Sequence, residues 1–395
     1  MIRNRSENLS NQGYLCSLHL FAKLILETLA VFADRHHVPT YQFTSQELAV
    51  GVFHAPYREM SIFRRKHFLR EPMPFMDLLQ SCFRCEATDK RDHIFALLGL
   101  VTDHGEHELV RPDYSKPWQQ VFKDLAKFFI ERDKKLNIIC AANHSRPHDE
   151  LPSWVADWSD KSQTSNVIAR LSTEDRNHGQ YCYAASGESV ADANISQDGN
   201  VLSVTGFGDD IVEAIGELMA GPLELNRIVL QWLQMVFGEE DPSNDYHYVG
   251  GGTMLEAFNR TICVDHDFYG HRPNPGSCGI VFNIELVPKH HHAEVADKEE
   301  RAIRLVAEQR DAINHVAPRR RFFYTRDGFM GLGPPDAKEG DMVKILKGCD
   351  VPVLLRKDEE YFRLVGEAYV CGVMDGEMMN ELSAAKYTLE RFMIR

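Results

Sequence analysis

The chain has 395 residues, 44% of them hydrophobic and 26% charged, with 44 Lys and Arg against 58 Asp and Glu, a formal net charge of −14. That length accommodates two or three domains with buried cores, and the apolar content excludes a disordered chain. The acidic balance excludes general binding to nucleic acid or anionic membranes, which takes a cationic surface.

The opening stretch, Met1 to Gly13, is polar and carries Arg3, Arg5 and Glu7, so no secretory apolar core follows the first residue directly. Leu15 to Ala33 is more apolar, but Lys23 and Glu27 interrupt it. Leu18, Phe21, Leu24, Ile25, Leu29 and Phe32 recur at helical spacing, so the stretch reads as an amphipathic helix on a core. A membrane span needs about 18 uninterrupted apolar residues. Nine scattered cysteines without a signal peptide read as reduced thiols in a cytosolic or nuclear setting, and the expectation is a cytoplasmic protein.

Thr44 and Glu47 have capping-box spacing. Pro72 and Pro74 end the basic stretch Arg58 to Arg70 and open a helix with the buried stripe Phe75, Leu78, Leu79 and Phe83. A helix from Asp92 to Leu98 stops at Gly99, and another runs from Trp118 to Arg132 with Val121, Leu125, Phe128 and Phe129 on its apolar face. Between Val201 and Ile215 the period shifts to that of strands, with a turn or bulge at Gly206 and Gly208. Helices return over Leu223 to Phe237, Met254 to Val264 and Glu294 to Val316, with a loop from Asp265 to Cys278. Short strands follow at Arg321 to Thr325, Met342 to Leu346, Val351 to Leu355 and Tyr361 to Val370, with a hairpin-type turn at Asp327-Gly328. A last helix is expected over Glu377 to Phe392. The expected fold class is α+β: a mostly helical N-terminal and central body with a small antiparallel β-sheet or barrel module at the C-terminus. The expected regions are a helical 1–160, a mixed central 161–316, and a β module with a C-terminal helix at 317–395.

Three segments carry a resemblance. They are Ala87-Thr88-Asp89-Lys90-Arg91-Asp92-His93-Ile94-Phe95-Ala96-Leu97-Leu98-Gly99-Leu100, then Pro112-Asp113-Tyr114-Ser115-Lys116, then Leu151-Pro152-Ser153-Trp154-Val155-Ala156-Asp157-Trp158-Ser159. In this order they resemble the region after the HET domain in fungal heterokaryon-incompatibility proteins. Ala257 to Thr261 is similar to the central helix of those proteins. Phe322 to Thr325, Gly331 to Pro334, Gly340-Asp341, Leu355-Arg356 and Gly366 to Val370 are similar to their C-terminal module. The resemblance covers roughly residues 40 to 380. Thr44 to Ala49 looks like the stretch that closes the HET domain, and the earlier HET motifs have no counterpart, so the expectation is a chain that lacks the HET core. HET domains resemble TIR domains, which cleave NAD; the resemblance does not bring that activity to this chain.

Among the polar members of these segments, Asp92, Asp113 and Asp157 are candidate catalytic carboxylates, with His93 and Tyr114 as proton donors. The structural reading, which the residues favour, has Arg91 pairing with a buried carboxylate, Asp113 capping the helix after Pro117, and Trp154 and Trp158 filling the core. Cys82 and Cys85 with His104 and His107 have the residue types of a zinc site, but i, i+3 helix geometry accounts for the cysteine spacing. His290 to His292 reads as a solvated loop. Gly250 to Thr253 lacks the Lys and spacing of a phosphate loop, and Gly276 to Gly279 would need His266 or His271 as a base. No cofactor and no metal are expected.

The functional expectation is a heterokaryon-incompatibility-like protein with an interaction or regulatory role in allorecognition and a HET-type protein as partner. The alternative is a cofactor-independent enzyme of fungal secondary metabolism, of acid–base, isomerase or cyclase type, acting on a small apolar metabolite. Neither reading involves nucleic acid or a membrane.

Overall fold

The computed structural model describes residues 73–83, 85–101, 111–142, 150–160, 183–221, 224–238, 246–266, 310 and 312–395. All of them fall in the second of two compact units, Glu71–Arg395, the first being Met1–Arg70. The expected Leu15 to Ala33 helix, the Thr44 cap and the His290 to His292 tract lie outside the described residues. So do His104, His107, Gly276 to Gly279 and most of the expected Glu294 to Val316 helix, of which 310 and 312–316 are described and helical.

Helix α1 (Phe75–Ser81) follows Pro74 and buries Phe75, Leu78 and Leu79; the fixed φ of proline suits this entry. Phe83, expected on the same stripe, lies past the helix end and is half-buried. Helix α2 (Asp92–Phe95) is one turn long, shorter than expected. Beyond it the amides of Leu97, Leu98 and Leu100 bond to the carbonyls three residues back, so tighter turns replace the helix before Gly99. Helix α3 (Trp118–Asp133) buries Val121, Phe122, Leu125 and Phe129 and ends where Lys134 turns left-handed at φ 53°. A 3₁₀ turn, Asn137–Ala141, comes next.

Strands β1 (Ala193–Ile195), β2 (Leu202–Phe207) and β3 (Val212–Leu218) precede helices α4 (Leu225–Phe237) and α5 (Met254–Ile262). Strands β4 (Arg321–Thr325), β5 (Met330–Gly333), β6 (Met342–Leu346), β7 (Val353–Asp358), β8 (Tyr361–Glu367) and β9 (Tyr369–Val370) come next, then helix α6 (Glu377–Ser383) and β10 (Glu390–Ile394). The expected final helix is thus corrected: it stops at Ser383, and Ala385 takes φ 62°. Residues 390–394 alternate instead. Phe392 and Ile394 are buried while Arg391 and Met393 are exposed, a period of two that suits a strand.

β2, β10, β8, β7 and β6 form a closed five-stranded ring, with β1 added along β2. Ring closure is the pairing of Gly206 with Leu346 and Phe207 with Ile345. A Cβ at Gly206 would stand 2.6 Å from Ile345 O, so only glycine permits the approach. The pairings are antiparallel except β10 with β8, which is parallel at Ile394 and Phe362. By register, Leu202, Val204, Leu346, Leu355, Leu364 and Phe392 share the inner face, and all are buried. Phe207, Val343, Ile345, Leu354 and Val365 face the other way, into a cluster with Phe323 and Val370.

Those last two belong to a second antiparallel sheet, β3-β4-β5-β9. The expected hairpin turn at Asp327-Gly328 joins β4 to β5, with Gly328 at φ 92°. Helix α4 packs on β3 and α5 on β5. Phe322 is the anchor between them, stacked on Trp232 at 5.9 Å and tilted against Phe258 at 5.4 Å. The segment 151–160 is fastened to the ring: Ser153 Oγ accepts from Leu364 N–H at 2.9 Å, and Trp154 is fully buried.

Candidate functional site

The first two resembling segments meet in space. Arg91 forks onto Asp89, with Nε to Oδ1 at 2.9 Å and Nη2 to Oδ2 at 2.6 Å. Its remaining nitrogen crosses to the second segment and donates to the carbonyls of Tyr114 at 2.5 Å and Lys116 at 2.9 Å. One guanidinium therefore staples two loops through its planar set of donors. Tyr114 answers with its hydroxyl, which donates to Asp92 Oδ1 at 2.6 Å, while its ring sits edge-on to Phe95. The Lys90 ammonium lies 3.8 Å from the centre of the Trp118 ring.

A cleft of about 520 Å³ opens here, lined by Thr88, Asp89, Lys90, Arg91, Asp92, Pro117 and Trp118. Tyr114, beside it, is 55% exposed. The titration shifts run away from neutrality. The Arg91 fork holds the Asp89 carboxyl down to about 2, and Asp89 in turn raises Arg91. The hydrogen bond to Asp92 raises the Tyr114 phenol, and the Ser115 hydroxyl lowers Asp113. Each of these groups holds its neutral-pH charge state more firmly than an isolated one would. The result is a fixed pattern of charges and rings at a surface.

Of the five residues singled out from the sequence, the structure brings Asp92 and Tyr114 into contact. Asp113 does not cap α3, whose N-terminus receives no side-chain cap; it stands in the same loop as Tyr114 and accepts from Ser115 N–H at 2.9 Å and Ser115 Oγ at 2.5 Å, an Asx turn. Asp157 makes the equivalent turn with Ser159 and is buried in the segment fastened to the ring; it is not among the residues lining the cleft. His93 follows Asp92 on α2, half-buried, and does not line the cleft either.

Cys82 and Cys85 are half-buried thiols; Cys82 follows the end of α1 and Cys85 lies beyond it, its N–H bonded to Cys82 O at 2.8 Å, so a turn and not a shared helix face sets their spacing. Among the described residues no group of three or more His, Cys, Asp or Glu side chains could hold a metal ion. Thr253 caps α5, its hydroxyl accepting from Glu256 N–H while Glu256 reaches back to Thr253 N–H. Those amides are thereby occupied.

A buried polar cluster escaped the sequence reading. At the end of α5, Arg260 forks onto Asp265 at 2.9 and 3.0 Å. Val264 and Asp265 both hold left-handed backbone, φ 47° and 58°, an uncommon state for a β-branched residue. The Tyr183 hydroxyl donates to Val264 O and lies 2.7 Å from His266 Nδ1. Tyr369 packs on Tyr183, its hydroxyl buried without a hydrogen-bond partner, and burial pushes its phenol well above the ordinary value. Burial also raises the nearby Cys371 thiol to about 11. The only sequence signals were Ala257 to Thr261 and the weighing of His266 as a base; the backbone strain has no one-dimensional signature.

Residues 289–389 match the Het-6 β-barrel domain. The chain is similar to heterokaryon-incompatibility proteins, over the barrel region and more broadly. Heterokaryon incompatibility protein 6, OR allele, of Neurospora crassa is 25% identical over 385 residues, covering 83% of this chain and 53% of that protein. The chain thus spans about half the length of this curated relative. No solved structure matches it. The Het-6 barrel match includes β6, β7 and β8, whereas β2 and β10, which complete the ring, lie outside it. Among the described residues no helix is long and apolar enough to cross a membrane.

Proposed function

We propose that the chain acts in fungal heterokaryon incompatibility as a cytoplasmic interaction or regulatory protein, with the Thr88 to Trp118 cleft as its contact face and a HET-domain protein as its partner. The observation that carries this reading is the similarity over most of the chain to a protein named for heterokaryon incompatibility. The cleft supports it: an exposed tyrosine and fixed charges of both signs suit a polar protein contact, where Tyr, Trp and Arg supply most of the binding energy.

The test is expression of the tagged full chain in a filamentous fungus, with capture of HET-domain proteins and scoring of heterokaryon growth. The expected result is capture of a HET-domain protein that Tyr114→Ala and Lys90→Glu each weaken by about tenfold or more while the fold is retained. Unchanged capture by both variants overturns the contact face. Turnover of a small molecule by the pure chain, with no HET-domain protein captured, overturns the reading as a whole.

A further inference from the structure

Cys140 lies in the 3₁₀ turn Asn137–Ala141, and Cys349 in the turn between β6 and β7, 209 positions away in the chain. Both are fully buried and their sulfurs face each other at 3.6 Å. The backbone is clamped on either side of them. Leu136 N–H donates to Gly348 O at 2.7 Å. Asp350 N–H donates to Asn137 Oδ1 at 3.0 Å, and Asn137 Nδ2 returns to Asp350 Oδ2 at 2.7 Å. Lys135 adds an ion pair to Asp350 at 3.0 Å. Gly348 sits at φ 83°, and a Cβ there would stand 2.4 Å from Ala191 N, so the turn is pressed against a third segment. The two sulfurs are thus held in contact by a frame that owes nothing to a bond between them. Closing to a disulfide of about 2.05 Å asks for roughly 1.5 Å of approach shared by two side chains.

We propose that Cys140 and Cys349 are a redox modification site, joined reversibly by thiol–disulfide exchange with a low-molecular-weight disulfide such as oxidised glutathione. In the first step one cysteine, as its thiolate, attacks a sulfur of the oxidant. A mixed disulfide forms, the oxidant's own bond breaks, and its other half leaves as a thiolate that takes up a proton. In the second step the other cysteine, as its thiolate, attacks the protein sulfur of the mixed disulfide, and the second half leaves as a thiol. The protein loses two hydrogens and gains one S–S bond, and one oxidant molecule becomes two thiols. The hydrogen bond with Cys349, followed by burial, holds Cys140 protonated in the closed protein, so exchange proceeds through local opening of the 3₁₀ turn. The bond ties the turn after α3 to the β6–β7 turn of the ring and closes a long loop in the unfolded chain.

The experiment uses the reduced full chain, incubated with rising ratios of oxidised to reduced glutathione, both natively and during refolding from urea. Peptide mapping without reductant is expected to recover Cys140 and Cys349 in one linked species. The thermal midpoint is expected to rise by about 5 °C or more, and dithiothreitol to reverse both effects. Cys140→Ala and Cys349→Ala each abolish the rise. The mapping on the unsubstituted chain stands whether or not those variants fold. Linkage of other cysteines in place of this pair, glutathione adducts alone, or both thiols still open to alkylation after oxidative refolding overturns the proposal.

Discussion

The buried ion pair of Arg320 and Glu367 makes a sharp quantitative case. The two side chains are 1% and 0% exposed, with Arg320 Nη2 donating to Glu367 Oε1. Arg320 Nη1 is also buried and has no hydrogen-bond partner. Glu367→Gln keeps the shape and one acceptor oxygen but leaves the guanidinium charge uncompensated. Breaking such a pair from one side costs about 3 to 5 kcal/mol, whereas removing both charges in favour of apolar groups is often neutral. The double variant Arg320→Met/Glu367→Leu also removes the orphaned Nη1. The lower figure corresponds to more than about a hundredfold in the folding equilibrium. Urea unfolding followed by tryptophan fluorescence, with buried Trp154 and Trp232 as reporters, measures the difference. Glu367→Gln is expected to lower stability by at least about 3 kcal/mol, and the double variant to recover most of it. A double variant as unstable as the single one, or a single variant within about 0.5 kcal/mol of the parent, refutes the reasoning.

Four further outcomes follow from the same geometry. Phe392→Ala, on the inner face of the ring, is expected to cost about 3 to 5 kcal/mol, and Met393→Ala, on the outer face, less than about 0.5; equal effects in urea unfolding would contradict a strand here. Gly206→Ala forces a Cβ to 2.6 Å from Ile345 O and is expected to weaken ring closure, read as loss of hydrogen-exchange protection along β2 and β6. Thr253→Ala removes the α5 cap at about 1 kcal/mol, measurable by the same urea titration. The Asp89 carboxylate titrates near 2 in the folded protein, below the unfolded value of about 3.9, so its contribution is complete above the unfolded value and disappears as the pH falls through about 2. Carbon-13 NMR of Asp89 checks this, and Arg91→Gln is expected to bring the carboxyl back towards its ordinary range.

Much of the local structure was legible because one period governed each stretch. The strands at Arg321–Thr325 and Met342–Leu346 coincide with the residues expected, and α3 differs by a single residue at its end. The errors fell where a nonlocal partner took precedence. Residues 390–394 join a strand because β2 and β8 offer them backbone partners and the ring buries their alternating side chains Phe392 and Ile394. The cleft was half legible: Arg91, Asp92 and Tyr114 were marked as polar members of recognisable segments. Their mutual hydrogen bonds bridge more than twenty positions and leave no spacing rule to read.

Composition gave an acidic chain of net charge −14, and hydrophobic periodicity set its α+β character; the order of its polar segments pointed to heterokaryon-incompatibility proteins. These are properties of neighbouring residues, which propensity and burial act on directly. The ring of five strands, the Arg91 staple, the buried pair of Arg320 with Glu367 and the facing thiols of Cys140 and Cys349 belong to the tertiary structure. Each joins residues far apart in the chain, and only the packing of the whole unit selects which distant groups become neighbours.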